Sequence, residues 1–241
     1  MIIFLYGEDG YRLDEARRGI VEKYRAKHSS GLNLFTIDGA EPDATARLDE
    51  ALQGLSFFDE IKLVVLKNPL TGDKDALLSV LQKSSVTKDA KVTVLACQSS
   101  KFDQRKPHPL LKFLADKENL VRNFEPLSGA QLSSWLRHQA VVRGTPFTAG
   151  ALKLFMEIGG GDSWERANNL DKLANFCRGP ITEKAVLALV GQPGSSNLFE
   201  LIDAIGTRNR PQAYELLWRE LAAGSDPYSI LSMIAYQFRT M

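Results

Sequence analysis

Short continuous apolar runs alternate with longer periodic ones through the first half of the chain. Ile2–Tyr6 is a continuous apolar run that stops at Gly7, and Tyr11–Lys27 then follows a helical period with Leu13, Ala16, Ile20 and Tyr24 near one face. The same alternation predicts strands at Leu34–Ile37, Ile61–Leu66, Val92–Ala96 and Leu120–Phe124. It predicts helices at Asp43–Leu52, Lys74–Gln82 and Pro109–Ala115. Ile61–Leu66 is the strongest strand, with five of its six residues apolar. Buried strands separated by amphipathic helices imply an α/β fold with a parallel sheet covered on both faces.

The pattern changes after Pro126. No convincing strand follows, and helices are predicted over 129–143, 149–157, 162–177 and 183–189, with Ser128, Thr148 and Thr182 placed to cap three of them. Gly191-Gln-Pro-Gly-Ser-Ser196 is the clearest linker. Three more helical segments follow at 198–205, 211–223 and 227–239. The domains expected are therefore 1–126 (α/β), 127–192 (small and all-helical) and 193–241 (further helices).

Composition narrows the function classes. The 241 residues carry 30 Lys and Arg against 29 Asp and Glu, a formal charge of +1. By region the basic and acidic counts are 19 and 19 in 1–126, 7 and 5 in 127–192, and 4 and 5 in 193–241. No region is built around phosphate neutralisation. Cys97 and Cys177 form no paired motif, which argues against a disulfide framework or a cysteine zinc site and suggests a reducing cytosol. No apolar run approaches the roughly 18–20 residues of a membrane span, and the N-terminus lacks the features of a signal peptide.

An α/β domain followed by a helical one is a common plan for nucleotide-binding motors, so the turn after the first strand is the place to look for a phosphate loop. Counting from Gly7, such a loop needs Gly at 12, Lys at 13 and a hydroxyl at 14. The chain has Arg12, Leu13 and Asp14, and Glu8 and Asp9 add negative charge where phosphate would sit. The dinucleotide fingerprint fails because position 9 is Asp. The buried strand ends in Lys67-Asn68 rather than in metal-binding acids. His28, His108 and His138 lack metal-ligand spacing, and no nucleophile elbow is present. Neither a catalytic site nor a cofactor is expected.

Two segments remain. Leu55-Ser-Phe-Phe58 joins a helix to the strongest strand, and two adjacent Phe there either plug the base of the sheet or form an exposed anchor for a partner. Lys101-Phe-Asp-Gln-Arg-Lys-Pro-His108 is a basic loop, either simply solvated or a phosphate contact near DNA through Lys101, Arg105 and Lys106. Trp135, Trp164 and Trp218 fall on apolar helix faces, which predicts core packing for each.

These residues together resemble the delta-subunit family of the bacterial DNA polymerase III clamp loader. The resemblance rests on Phe4-Leu-Tyr-Gly-Glu-Asp-Gly-Tyr11, on Leu55-Ser-Phe-Phe58 followed by Lys62-Leu-Val-Val-Leu-Lys67, and on Phe102-Asp-Gln-Arg105-Lys106. It rests also on Gly161-Asp162, Asn169-Leu-Asp-Lys-Leu173, Asn197–Ile205, Asp226-Pro227 and Ile234–Arg239. Asp171 departs from the Glu more usual in that family.

The resemblance implies an AAA+-like sheet domain with a degenerate phosphate loop, a helical lid and the first helices of a collar cut short at Met241. It implies a non-catalytic subunit that binds the sliding clamp through Leu55, Ser56, Phe57 and Phe58 and opens the ring over primed DNA. The other loader subunits (gamma/tau and delta prime) would be its partners, joined through the collar, and the site of action would be the cytoplasm. The rival readings are an active AAA+-type ATPase subunit, which the failed phosphate loop opposes, and a DNA-binding regulatory module, which the near-neutral charge opposes.

Overall fold

The computed structural model describes residues 1–28, 30–54, 61–84, 86, 89–100, 107–190, 197–222 and 226–240. The described chain divides into two compact units, Met1–Trp135 with Gly161–Asn168, and Leu136–Gly160 with Asn169–Met241.

The first unit is built on five parallel strands: β1 (Ile2–Tyr6), β2 (Leu34–Asp38), β3 (Lys62–Lys67), β4 (Val92–Gln98) and β5 (Leu120–Asn123), in the order β2-β3-β4-β1-β5. Helices α1 (Gly10–Lys27), α2 (Ala44–Gln53), α3 (Lys74–Lys83) and α4 (Pro109–Leu114) follow the first four strands in turn. This is the predicted alternation, and each helix starts within one residue of its sequence estimate. Strand alternation sorts the core into two faces. Phe4, Val64, Leu66 and Ala96 pack with Leu48, Leu77 and Leu110 from α2, α3 and α4. Leu5, Leu63, Val65 and Leu95 pack with Leu13 and Tyr24 of α1. β5 departs from the expectation of a strand covered on both faces. It is an edge strand paired only with β1 among the described strands, and all four of its residues are exposed.

The remaining helices are α5 (Gly129–Val142), α6 (Ala149–Ile158), α7 (Ser163–Phe176), α8 (Glu183–Leu189), α9 (Asn197–Gly206), α10 (Arg210–Ala222) and α11 (Pro227–Thr240). Among the described residues of this half, extended pairing is limited to one isolated bridge, Phe147 with Ile181. That bridge ties the entries of α6 and α8 side by side. Thr148 and Thr182 cap those two helices by accepting from Ala151 N and Ala185 N. Phe155 fills the space beneath, with its ring 5.3 Å from that of Phe147. Farther on, Leu201 and Ala204 of α9 meet Leu216 of α10 and Ile230 of α11.

The tryptophans correct one expectation. Trp135 is half-buried, but Trp164 is 47% and Trp218 73% exposed. Trp218 shares its face of α10 with Tyr214 and Leu221, which are exposed as well, while the small helical core takes Leu216 from the opposite face.

Candidate functional site

The turn between β1 and α1 decides whether the first unit can hold a phosphate. Gly7 sits at φ 135°, and a Cβ there would lie 2.3 Å from the Phe124 carbonyl oxygen. Only glycine fits so close an approach. Four amides of this turn have acceptors within the chain. Gly7 N donates to Gln98 O, Asp9 N to Phe124 O and Gly10 N to Glu8 O. Arg12 N donates to the Asp9 carboxylate at 3.1 Å, so Asp9 is the N-cap of α1. The Arg12 guanidinium closes over the same carboxylate at 3.4 Å and donates to Glu125 O at 3.0 Å.

The strand ends beside this turn carry no acid pair. β3 runs into Lys67-Asn68. Asn68 takes a left-handed backbone (φ 49°), and its amide donates to both oxygens of Asp38 at 3.0 and 3.1 Å. A cleft of about 310 Å³ opens here, lined by Gly10, Arg17, Lys67, Cys97, Ser99 and Trp164 among others. Arg17 is engaged by Asp14 at 2.6 Å. Burial pushes the Cys97 thiol up to about 12, so it is no nucleophile at neutral pH. Among the described residues no cluster of His, Cys, Asp or Glu could hold a metal ion.

The sequence-predicted contact residues Leu55, Ser56, Phe57 and Phe58, and likewise Lys101, Arg105 and Lys106, lie outside the described residues. Their flanks are well defined. Gly54 N donates to Glu50 O at the end of α2. The Lys62 ammonium, 1% exposed, donates to Ala51 O and Gly54 O, both at 2.6 Å, and stands 5.8 Å over the Phe35 ring. It meets the carbonyls that a helix C-terminus leaves without partners, where the helix dipole favours positive charge. Burial lowers its pKa from the ordinary lysine value, against an opposing pull from Asp89. On the far side, Ile61 O accepts from the Tyr24 hydroxyl at 2.7 Å, and Lys62 N donates to Lys91 O.

The flanks of the basic loop are Ser100, whose hydroxyl accepts from the Gln98 amide, and Pro107, followed by His108, which caps α4. β3 and β4 are parallel neighbours. The chain therefore returns from the first segment at the N-terminal edge of the sheet and departs for the second from the C-terminal edge.

A parallel sheet of this order with degenerate nucleotide-site elements defines an AAA+-like fold without a phosphate loop. The solved structures agree on the fold. The *Bacillus subtilis* DNA clamp loader delta protein superposes with a TM-score of 0.61 at 23% identity, over 99% of this chain and 72% of that one. The *Thermotoga maritima* RuvB Holliday junction branch migration motor follows with a TM-score of 0.55 at 9% identity, over 86% and 69%. In sequence, the *Bacillus subtilis* DNA polymerase III subunit delta is 27% identical over 98% of this chain and 70% of its own length. The family model for the DNA polymerase III delta subunit matches residues 4–124, and that for its C-terminal domain matches residues 195–241. The chain belongs to the DNA polymerase III delta subunit family.

Proposed function

We propose that this chain is a non-catalytic clamp-loader subunit that binds the bacterial sliding clamp and opens the ring for loading onto primed DNA. Family membership across both ends of the chain carries the reading. The β1–α1 turn supports it, because the Gly7, Asp9, Gly10 and Arg12 amides donate to acceptors within the chain rather than standing open to a phosphate. Work on the clamp is then done by binding energy, with nucleotide handled by neighbouring loader subunits in the cytoplasm.

The contact with the clamp is assigned to Leu55, Ser56, Phe57 and Phe58. Burial of one Phe side chain on binding contributes about 2–3 kcal/mol, so a pair is enough for a hot spot. Lys101, Arg105 and Lys106 are assigned to phosphate contacts on the DNA side.

The test is a pull-down with a bacterial sliding clamp, comparing the native chain with a Phe57→Ala/Phe58→Ala variant shown to be folded by circular dichroism. Clamp binding is expected from the native chain and lost from the variant. Unchanged capture by the variant overturns the site, and no capture by the native chain overturns the function.

A further inference from the structure

We propose that Asp9 is an internal anion standing in for phosphate at the N-terminus of α1, and that its hydrogen bond with Ser163 latches the first turn of α7 to α1 without nucleotide.

A helix start after a glycine turn is a natural anion site. Here the anion is part of the chain. The Asp9 side chain is 1% exposed, and it accepts from Arg12 N, from the Arg12 guanidinium and from Ser163 Oγ at 2.7 Å. Ser163 is also buried, although it lies 154 residues away.

The start of α7 explains why this hydroxyl is free to reach across. Asp162 Oδ1 caps the helix by accepting from Glu165 N at 2.8 Å, and Glu165 reaches back to accept from Gly161 N at 2.7 Å. The helix end is thus satisfied by Asp162 and Glu165, in the manner of a capping box, and Ser163 is not needed for it.

Aromatic packing seats the same turn. The Tyr11 ring meets Trp164 edge-on at 5.0 Å and Trp135 at 5.9 Å. Gly10 leaves room for both neighbours, since a Cβ there would fall 2.7 Å from Ser99 Oγ and 3.4 Å from Trp164 Nε1. A phosphate at this place would come and go with its nucleotide, whereas a carboxylate on the chain is always present. The latch is therefore permanently set.

Amide hydrogen exchange on the whole chain tests it. Ser163→Ala keeps the α1 cap and removes only the reaching hydroxyl. It should speed exchange of residues 161–168 about tenfold, the scale of one hydrogen bond to a charged group, and leave the amides of β1, β3 and β4 unchanged. Ser163→Thr should restore the native rate. Asp9→Ala should loosen 161–168 at least as much, and the double variant no more than Asp9→Ala alone.

Magnesium ATP should leave native exchange unaltered. The proposal is overturned if Ser163→Ala shifts 161–168 by less than twofold, if the two effects multiply, or if ATP protects this segment in the native chain. Should Asp9→Ala fail to fold, Ser163→Ala and its threonine rescue decide the question.

Discussion

The N-terminus of α1 and the C-terminus of α2 meet the same problem with opposite charges. At α1 the unpaired amides meet the carboxylate of Asp9, and at α2 the unpaired carbonyls meet the ammonium of Lys62. Both side chains are buried, and each has the sign that the helix end favours. They differ in what surrounds the charge. Asp9 has an oppositely charged neighbour in Arg12, whereas among the described residues Lys62 meets carbonyl oxygens and an aromatic face. The difference teaches that a helix end can stand in for a counter-ion. At Lys62 burial still lowers the pKa from the ordinary lysine value.

The largest effect is expected at Lys62. Lys62→Met keeps the stem and removes the three donors, taking the partner from the buried Ala51 carbonyl and from the part-buried Gly54 carbonyl. The cost should be about 2–4 kcal/mol by urea unfolding, since each orphaned buried acceptor costs about 1–3 kcal/mol. The pH dependence sharpens the comparison. With a pKa lowered in the folded state, the unfolded chain binds more protons between that value and 10.5. The native protein therefore gains stability from this group as pH rises through that window. The methionine variant lacks the gain, so its deficit should widen with alkali. A deficit independent of pH would mean that Lys62 does not titrate from its buried position.

Asp9 should come next. Asp9→Ala removes the N-cap of α1 and should cost about 1–2 kcal/mol, whereas Asp9→Asn keeps a capping oxygen and should cost less than half as much. If the two substitutions cost the same, the charge and not the cap dominates at α1, and the two helix ends are more alike than their surroundings suggest.

The two ends were not equally legible in sequence. Asp9 stands out in sequence because it breaks the dinucleotide fingerprint and puts negative charge where phosphate would sit, and the order of strands and helices is readable from apolar runs and caps such as Thr148 and Thr182. Lys62 carries no such signal, being the one polar residue in the apolar run Ile61–Leu66. Only the pairing of β3 between β2 and β4, under the end of α2, buries it. Ser163 was equally hidden. A serine after a glycine-aspartate pair signals a helix start, and nothing local says that its hydroxyl reaches a residue 154 positions away. Trp218 misled for the converse reason: helical period locates a stripe but not how much of it is covered.

Cys97 supplies the control with the smallest expected effect. It is a free thiol buried on the α1 face of the same sheet, and among the described residues no helix end offers it a partner. Desolvation therefore dominates and the thiol rises to about 12, despite nearby Arg17 and Lys67, which pull the other way. The sign is opposite to that of Lys62. Above the ordinary thiol value of 9.0 the unfolded chain loses its proton while the folded chain keeps it, so stability from this group falls as pH rises from 9.0 toward 12. The slope approaches about 1.4 kcal/mol per pH unit within that window. Cys97→Ala should remove this slope while costing about 1 kcal/mol at neutral pH for the lost sulfur packing. The stability of the two proteins should therefore converge as pH climbs from 9 to 10. Parallel curves would show that the thiolate is accommodated after all, and that burial without a helix end is less hostile to charge than Lys62 and Asp9 imply.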